Sequence, residues 1–470
     1  MHRLSLLFKA IVICSLTLAI LIPLSMIRGT IAERQGYRQQ AIASVAQSYA
    51  GAQSLVGPIV VVPYLADVPI TITDANGVAH PQVRSENRQW TFFPKSLRLD
   101  GQLIPDEKHR GIHTVQVYEL GAKLYGHFDF IVPTDLPGAT LRQIGKPYVS
   151  LGIGDVRGLI GTPNLSLDGH PALLLQGGNC IGEGVHADLS TLAAGDKRAL
   201  DVAMVFRLGG TERLAIAPIG DSNRIDLRSK WRHPGFEGRF SPQKPEISAA
   251  GFHATWDISS LAANTQSQYE AQGCGSAFPA VTSAASAGHA GAAPDGGGSA
   301  KEGADRIELT LVDPVNIYTQ ADRASKYGLL FVLLTFVGFF MFETIKRLRI
   351  HPIQYLLAGL GLAIFFLLLI SLSEHIAFLW AYLIASAACI GLLGFYLGYV
   401  LHSRARGIGF AAMLTALYAV LYGLLVSEDN ALVLGSIMLF AILAAIMVIT
   451  RKIDWYGIGQ QTDPNAATQP

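Results

Sequence analysis

Between residues 327 and 450 the chain passes through five apolar runs, more than the core of a water-soluble fold would need. They cover 327–342, 353–370, 377–400, 408–426 and 431–450. The run 353–370 alone holds about a dozen Leu, Ile and Phe residues. At roughly −0.3 to −0.6 kcal/mol each, transfer into lipid is favoured by several kcal/mol. A sixth run, 4–27, opens the chain, with Arg3 before it and Lys9 near its start. Its length, and a junction at Arg28 without a small-x-small cleavage pattern, mark an uncleaved signal anchor. Composition agrees: 15% of residues are charged, well below the roughly 25% of a soluble protein. A net charge of +1 gives no reason to expect a nucleic-acid partner.

The short loops fix an expected orientation. Lys346, Arg347 and Arg349 follow the second run, Arg404 and Arg406 the fourth, and Arg451 and Lys452 the sixth. The alternate loops carry Glu374 in one case and Glu428 with Asp429 in the other. Basic residues gather on the cytoplasmic side, so both termini are expected inside and the stretch between the first two runs outside. The organisation expected is an anchor over 1–27, a periplasmic domain over 28–325, a five-helix bundle over 326–452 and a cytoplasmic tail over 453–470.

Within the periplasmic part, Ile42, Val45, Tyr49 and Ala52 recur at helical spacing, which predicts a helical stalk over 28–55 ended by Gly57-Pro58. From 56 to 325 the pattern is β. Leu124, Phe128 and Phe130 alternate with Tyr125, His127 and Asp129, as in a half-buried antiparallel strand. A hairpin is predicted here, with Gly121-Ala122-Lys123 as its turn and 114–120 as its first strand. Further strands are predicted at 59–62, 149–153, 172–175, 202–206, 214–218 and 306–312, which together suggest an all-β sandwich. The segment at about 272–304 is rich in Gly, Ala and Ser and is read as a disordered loop. The fold class is therefore an α-helical polytopic membrane protein with six transmembrane helices and a large sandwich-like periplasmic domain. Cys180 and Cys274 could pair in an oxidising compartment, but the unpaired reading is preferred because Cys274 lies in the Gly/Ala/Ser tract.

The run RASKYGLLFVLLTFVGFFMFETIKRLRIHPIQYLLAGLGLAIFFLLLISLSEHIAF resembles the CreD family of bacterial inner-membrane proteins, and AYLIASAACIGLLGFYLGYVL extends the match. In the exported part, ERQGYRQQAIASVAQSYAGAQSLVGPIVVVPY and WRHPGFEGRF are similar to the same family. The resemblance implies an inner-membrane location, genes beside a two-component system and a link to envelope integrity. It implies no catalytic residues.

Candidate sites are few. The five C-terminal run interiors contain no Asp, Glu, Lys or Arg, which counts against an ion-coupled carrier. Glu374-His375 could bind a metal or sense acid; the blander reading, a polar interfacial loop, is preferred. His351-Pro352 is read as the start of a helix with Pro in its first turn. His109 and His113 have zinc-like i, i+4 spacing, but Gly111 argues for a turn. The glycine-rich segment from Gly152 to Gly161 fails the dinucleotide spacing and is read as a tight loop. Gly394 and Gly398 form a G-x-x-x-G that serves internal packing or, less favoured, a homo-oligomer. Trp231, His233, Phe236 and Phe240 are read as corner packing, and as the first place to look for a partner surface. No catalytic, cofactor-binding or metal-ligating residue is assigned.

Two functions are weighed. The first is a non-enzymatic envelope protein whose β domain binds an unknown protein, glycan or lipid while the bundle sits in the bilayer. The second is a membrane enzyme or transporter acting on a lipid-linked or cell-wall substrate, with Glu374, His375 and Glu343 as its candidates. A sensor is disfavoured, because no sizeable cytoplasmic domain is expected.

Overall fold

The computed structural model describes residues 2–73, 79–178, 183–272, 305–311, 317–346, 351–400, 404–426 and 431–451. Cys180, Cys274, most of the Gly/Ala/Ser segment, Arg347, Arg349, Glu428, Asp429, Lys452 and the 453–470 tail lie outside the described residues. The chain forms two units, Met1–Tyr37 with Val315–Pro470, and Arg38–Pro314.

The first unit is helical. Helix α1 runs from His2 to Ser48 without a break, so the expected anchor and stalk are a single element. It ends seven residues earlier than the stalk expected over 28–55. Pro23 lies inside it; this removes one backbone hydrogen bond, a loss that spanning helices tolerate. The other helices are α3 (Ile317–Lys346), α4 (Pro352–Ser373), α5 (Phe378–Val400), α6 (Arg404–Val426) and α7 (Ala431–Thr450); α2 belongs to the second unit. Consecutive helices pack in order, and α3 also touches α6. Large side chains fill the interior: Phe331, Phe336, Phe339, Phe365, Phe366, Tyr382 and Tyr418 join Ile20 and Leu24 of α1. Close approach depends on Gly359, where a Cβ would stand 2.8 Å from Phe336 and 2.9 Å from Ile20. The outward positions are apolar as well, among them Ile22, Leu383, Phe395, Phe440 and Met447. A surface that is apolar inside and out suits lipid rather than water. Five helices among the described residues are long and apolar enough to cross a membrane, from Cys14–Ser48 to Arg404–Val426. The sixth expected crossing, α7, is not among those five.

The second unit is built from two sheets. One has nine strands, in the order β14 (Gly235–Gly238), β17 (Ile307–Thr310), β12 (Arg213–Ile216), β1 (Gln53–Thr73), β6 (Tyr148–Ile153), β10 (Gly184–Asp188) and β9 (Leu175–Gln176). In it β2 (Ala79–Phe92) and β5 (Thr140–Ile144) also pair with β1. The other has eight, in the order β15 (Glu246–Ser248), β16 (Gly251–Ser259), β13 (Ser222–Ser229), β3 (Ser96–Arg110), β4 (His113–Ile131), β11 (Lys197–Thr211), β7 (Asn164–Leu167) and β8 (His170–Ala172). Inward side chains of both sheets share one core, including Val60, Val62 and Leu214 from the first and Leu99, Leu124 and Trp256 from the second. The predicted sandwich is thus present, with one short helix, α2 (Thr265–Gln272), beside it.

The strand expected over 172–175 is split between β8 and β9, and two other local expectations fail for identifiable reasons. The hairpin turn at Gly121-Ala122-Lys123 does not exist, because β4 runs straight through it. Leu120, Ala122 and Leu124 are all buried on one parity, so the alternation never loses phase. Ala122 sits opposite Gly101 on one side and Phe206 on the other. Likewise Gly57-Pro58 does not stop a helix. It lies within β1, where the pairing with β6 shifts register between Val56 and Ile59, as a bulge does.

Candidate functional site

In the β unit, the last turns of α1 are held by groups remote in sequence. Ile42 and Val45 pack on Val115 and Val117 of β4 in a cluster separate from the main core. Full burial of two such side chains contributes about 3–6 kcal/mol before chain entropy is subtracted. The exposed carbonyls at a helix C-terminus attract cations. Here Arg157 donates from Nη1 to the Gln47 carbonyl (2.9 Å) and from Nη2 to that of Ala46 (3.4 Å). Asp155 holds Arg157 by an ion pair of 2.6 Å and accepts a hydrogen bond from the Gly51 N–H (2.9 Å). Gln53 completes the arrangement: its amide donates to the Asp155 and Gly209 carbonyls, and its carbonyl accepts from the Asp155 N–H. At Gly158 a Cβ would collide with the Gly209 carbonyl and the Gln53 amide. The glycine-rich segment is therefore a helix clamp, and neither Asp155 nor Arg157 was singled out from sequence. The glycines themselves were the available signal, since they allow this close approach.

Beside the clamp lies Glu212, with φ of 58°, a left-handed conformation unusual for a non-glycine residue. Its side chain is 1% exposed, and Oε1 lies 3.3 Å from Nη2 of Arg38 on α1. Oε2 has no hydrogen-bond partner among the described residues. Burial pushes the Glu212 carboxyl up, against the pull of Arg38 and Arg213. Nearby, Glu308 pairs with Arg213 at 2.7 Å and with Arg306 at 3.3 Å.

The helical unit contains two carboxylates in structured surroundings. Glu374 follows the last residue of α4, its side chain 9% exposed; Arg34 lies 3.6 Å away and the Tyr318 hydroxyl 3.3 Å. His375 beside it is exposed, and among the described residues no group of three or more His, Cys, Asp or Glu could hold a metal ion. Glu343 lies just past the apolar run 327–342. Helix α3 continues past 342 to Lys346, which leaves Glu343 buried and within 2.8 Å of the Tyr355 hydroxyl on α4. Deeper in the bundle Tyr382 donates to the Tyr418 carbonyl (2.7 Å), and Tyr418 to the Cys389 sulfur (3.1 Å).

The remaining candidates make local contacts. His351 caps α4 by accepting from the Ile353 N–H, with Pro352 as the first helical residue. His109 and His113 lie on β3 and β4, on either side of a turn at Gly111 with φ of 60°, so the helix that zinc-like spacing requires does not form. Trp231 donates to the His233 carbonyl, and Phe236 packs edge-on against Phe252 and Trp256. Gly394 and Gly398 face α6: a Cβ on Gly407 would stand 2.7 Å from the Gly398 Cα and 3.0 Å from the Gly394 carbonyl. That is packing within one chain.

The model of the family described as "Inner membrane protein CreD" matches residues 5–456. A curated relative, "Inner membrane protein CreD" of Escherichia coli (strain K12), is 35% identical over 447 residues, covering 93% of this chain and 91% of its own. Among solved structures, an M1 zinc metallopeptidase mutant from Deinococcus radiodurans bound to a Tyr-ser-ala substrate overlaps 35% of this chain and 38% of its own. At 7% identity and a TM-score of 0.17, that overlap bears on neither fold nor chemistry.

Proposed function

Because this chain belongs to the CreD family of inner membrane proteins, we propose that six helices hold it in that membrane with both termini in the cytoplasm. Its β unit then stands in the periplasm and binds an envelope protein, glycan or lipid, without catalysis, in support of envelope integrity. One observation carries this reading: the whole two-sheet unit lies between α1 and α3, so both of its ends lead into apolar helices. The side is read from Lys346, Arg404, Arg406 and Arg451, which lie in or beside the terminal turns of helices at alternate connections. In living cells, photo-crosslinkers at exposed Tyr125 and Val205 on the eight-stranded sheet, and at a grid of other exposed positions on both sheets, should capture discrete envelope partners. An empty profile from the whole grid would sink the binding role. Protease added to spheroplasts should cut the β unit; full protection would reverse the orientation.

A second reading, an enzyme or transporter acting on a lipid-linked or cell-wall substrate, draws on the buried Glu343–Tyr355 pair, because ionisable groups within spans commonly serve function. Glu343→Gln, Glu374→Gln and His375→Ala decide between the two. Full complementation by all three supports the binding reading, and loss with Glu343→Gln at normal protein level favours the second.

A further inference from the structure

Helices α5 and α6 are in close contact where Gly407 meets Gly394 and Gly398. Alongside that contact runs a groove of about 540 Å³, within the roughly 300–1,000 Å³ of small-molecule sites. The groove is shaped by missing side chains: Gly391 and Gly398 both line it, and a Cβ on either would meet nothing within 4 Å. Its rim is apolar and exposed, with Phe395 at 68%, Tyr399 at 73% and Ile408 at 69%. Among the described residues one charge lines it, Arg404 in the first turn of α6, and no carboxylate does. Among the described residues Arg404 has no hydrogen-bond or ion-pair partner.

We propose that this groove is a binding site for an anionic phospholipid, with the phosphate on Arg404 and an acyl chain along the glycine floor. The inference goes beyond the proposed function and needs only that the bundle lies in a bilayer. An apolar furrow open to lipid fills with hydrocarbon, and an arginine at the end of a span reaches for headgroup phosphates. Basic pockets between spanning helices are recurrent sites for anionic headgroups. A second copy of the chain fits less well. A two-fold contact brings the same patch together from both copies, so a parallel dimer would set two Arg404 side chains at one depth with no acid lining the groove.

The test uses the full chain in nanodiscs of phosphatidylcholine doped with spin-labelled phosphatidylglycerol or, separately, spin-labelled phosphatidylcholine. The immobilised fraction reports bound lipid. The wild type is expected to immobilise phosphatidylglycerol preferentially. Arg404→Gln should lower that preference about fivefold, the effect of one interfacial cation, and Arg404→Lys should retain most of it. Gly391→Leu and Gly398→Leu place a side chain in the groove at positions where a Cβ has open space, and should abolish immobilisation of both lipids above the general annular background. Unchanged preference in Arg404→Gln, or unchanged immobilisation in both glycine variants, overturns the proposal. So does a crosslinked dimer that both glycine variants dissociate.

Discussion

Replacing Arg38 with alanine tests whether the left-handed Glu212 depends on its partner. One carboxylate oxygen is 3.3 Å from the guanidinium and the other has no partner among the described residues. Removing one member of a buried pair costs about 3–5 kcal/mol, because the remaining charge is stranded away from water. Arg38 is 22% exposed, so water already screens part of the pair, and the lower end, about 3 kcal/mol at neutral pH, is expected. Glu212→Gln removes the charge instead and should cost about 1 kcal/mol, the net value of an ordinary hydrogen bond. The double variant should resemble Glu212→Gln alone, a coupling of about 2–3 kcal/mol. The sign of the pH dependence follows from the raised carboxyl. The folded state binds that proton more tightly than the unfolded chain does. The contribution of Glu212 is therefore most favourable below the ordinary carboxylate range and is lost as pH rises through the folded value. Without Arg38 the folded value climbs further, so the deficit of Arg38→Ala should be large at pH 8 and shrink toward pH 5. Urea unfolding of the full chain in nanodiscs, followed by limited proteolysis of the β unit, measures it. A deficit that ignores pH, or one no larger than that of Glu212→Gln, would refute the reasoning.

Two further changes probe the clamp on α1. Burial is the largest influence on Asp155 and pushes its carboxyl up, yet hydrogen bonds from Arg157 and Gly51 together with the Arg157 charge hold it below the ordinary range. Its stabilisation is present above the ordinary carboxylate value and is lost as pH falls through the lowered one. Asp155→Asn should thus cost about 1.5–3 kcal/mol at pH 7, with the gap to the wild type closing in strong acid on the same unfolding curves. Gly158→Ala should cost about 1–3 kcal/mol through overpacking and should speed proteolysis between Ser48 and Gln53; wild-type stability would show that the segment yields.

Much of the architecture could be read from the sequence because it rests on local pattern. The alternation from Leu124 to Phe130 and the apolar run at 353–370 each announce their element without any distant partner. The errors arose where a local cue competed with a long-range one. Gly121 looked like a turn because the burial of Leu120 and Ala122, which carries the strand through it, depends on strands twenty residues upstream and eighty downstream. The clamp was legible only as a run of glycines, since Arg157 meets its carbonyls 110 residues earlier in the chain. Glu212 was missed altogether: its partner is 174 residues away, and a charged residue after two glycines normally signals an exposed bend. Glu343 stood among the candidates from sequence, but its burial against the Tyr355 hydroxyl of the next helix depends on helix packing that the apolar pattern does not carry.

The position of β17 has a consequence for biosynthesis. That strand fills the slot between β12 and β14, and among the described residues β14 has no other neighbour in its sheet. A nascent polypeptide halted before Ile307 carries every other strand of both sheets yet leaves β12 with a bare edge. The helical unit waits in the same way, since the first 37 residues group with those from 315 onward. Each half of the molecule is therefore completed by late-made residues, and the growing chain must be kept from pairing with itself or with other chains until they emerge.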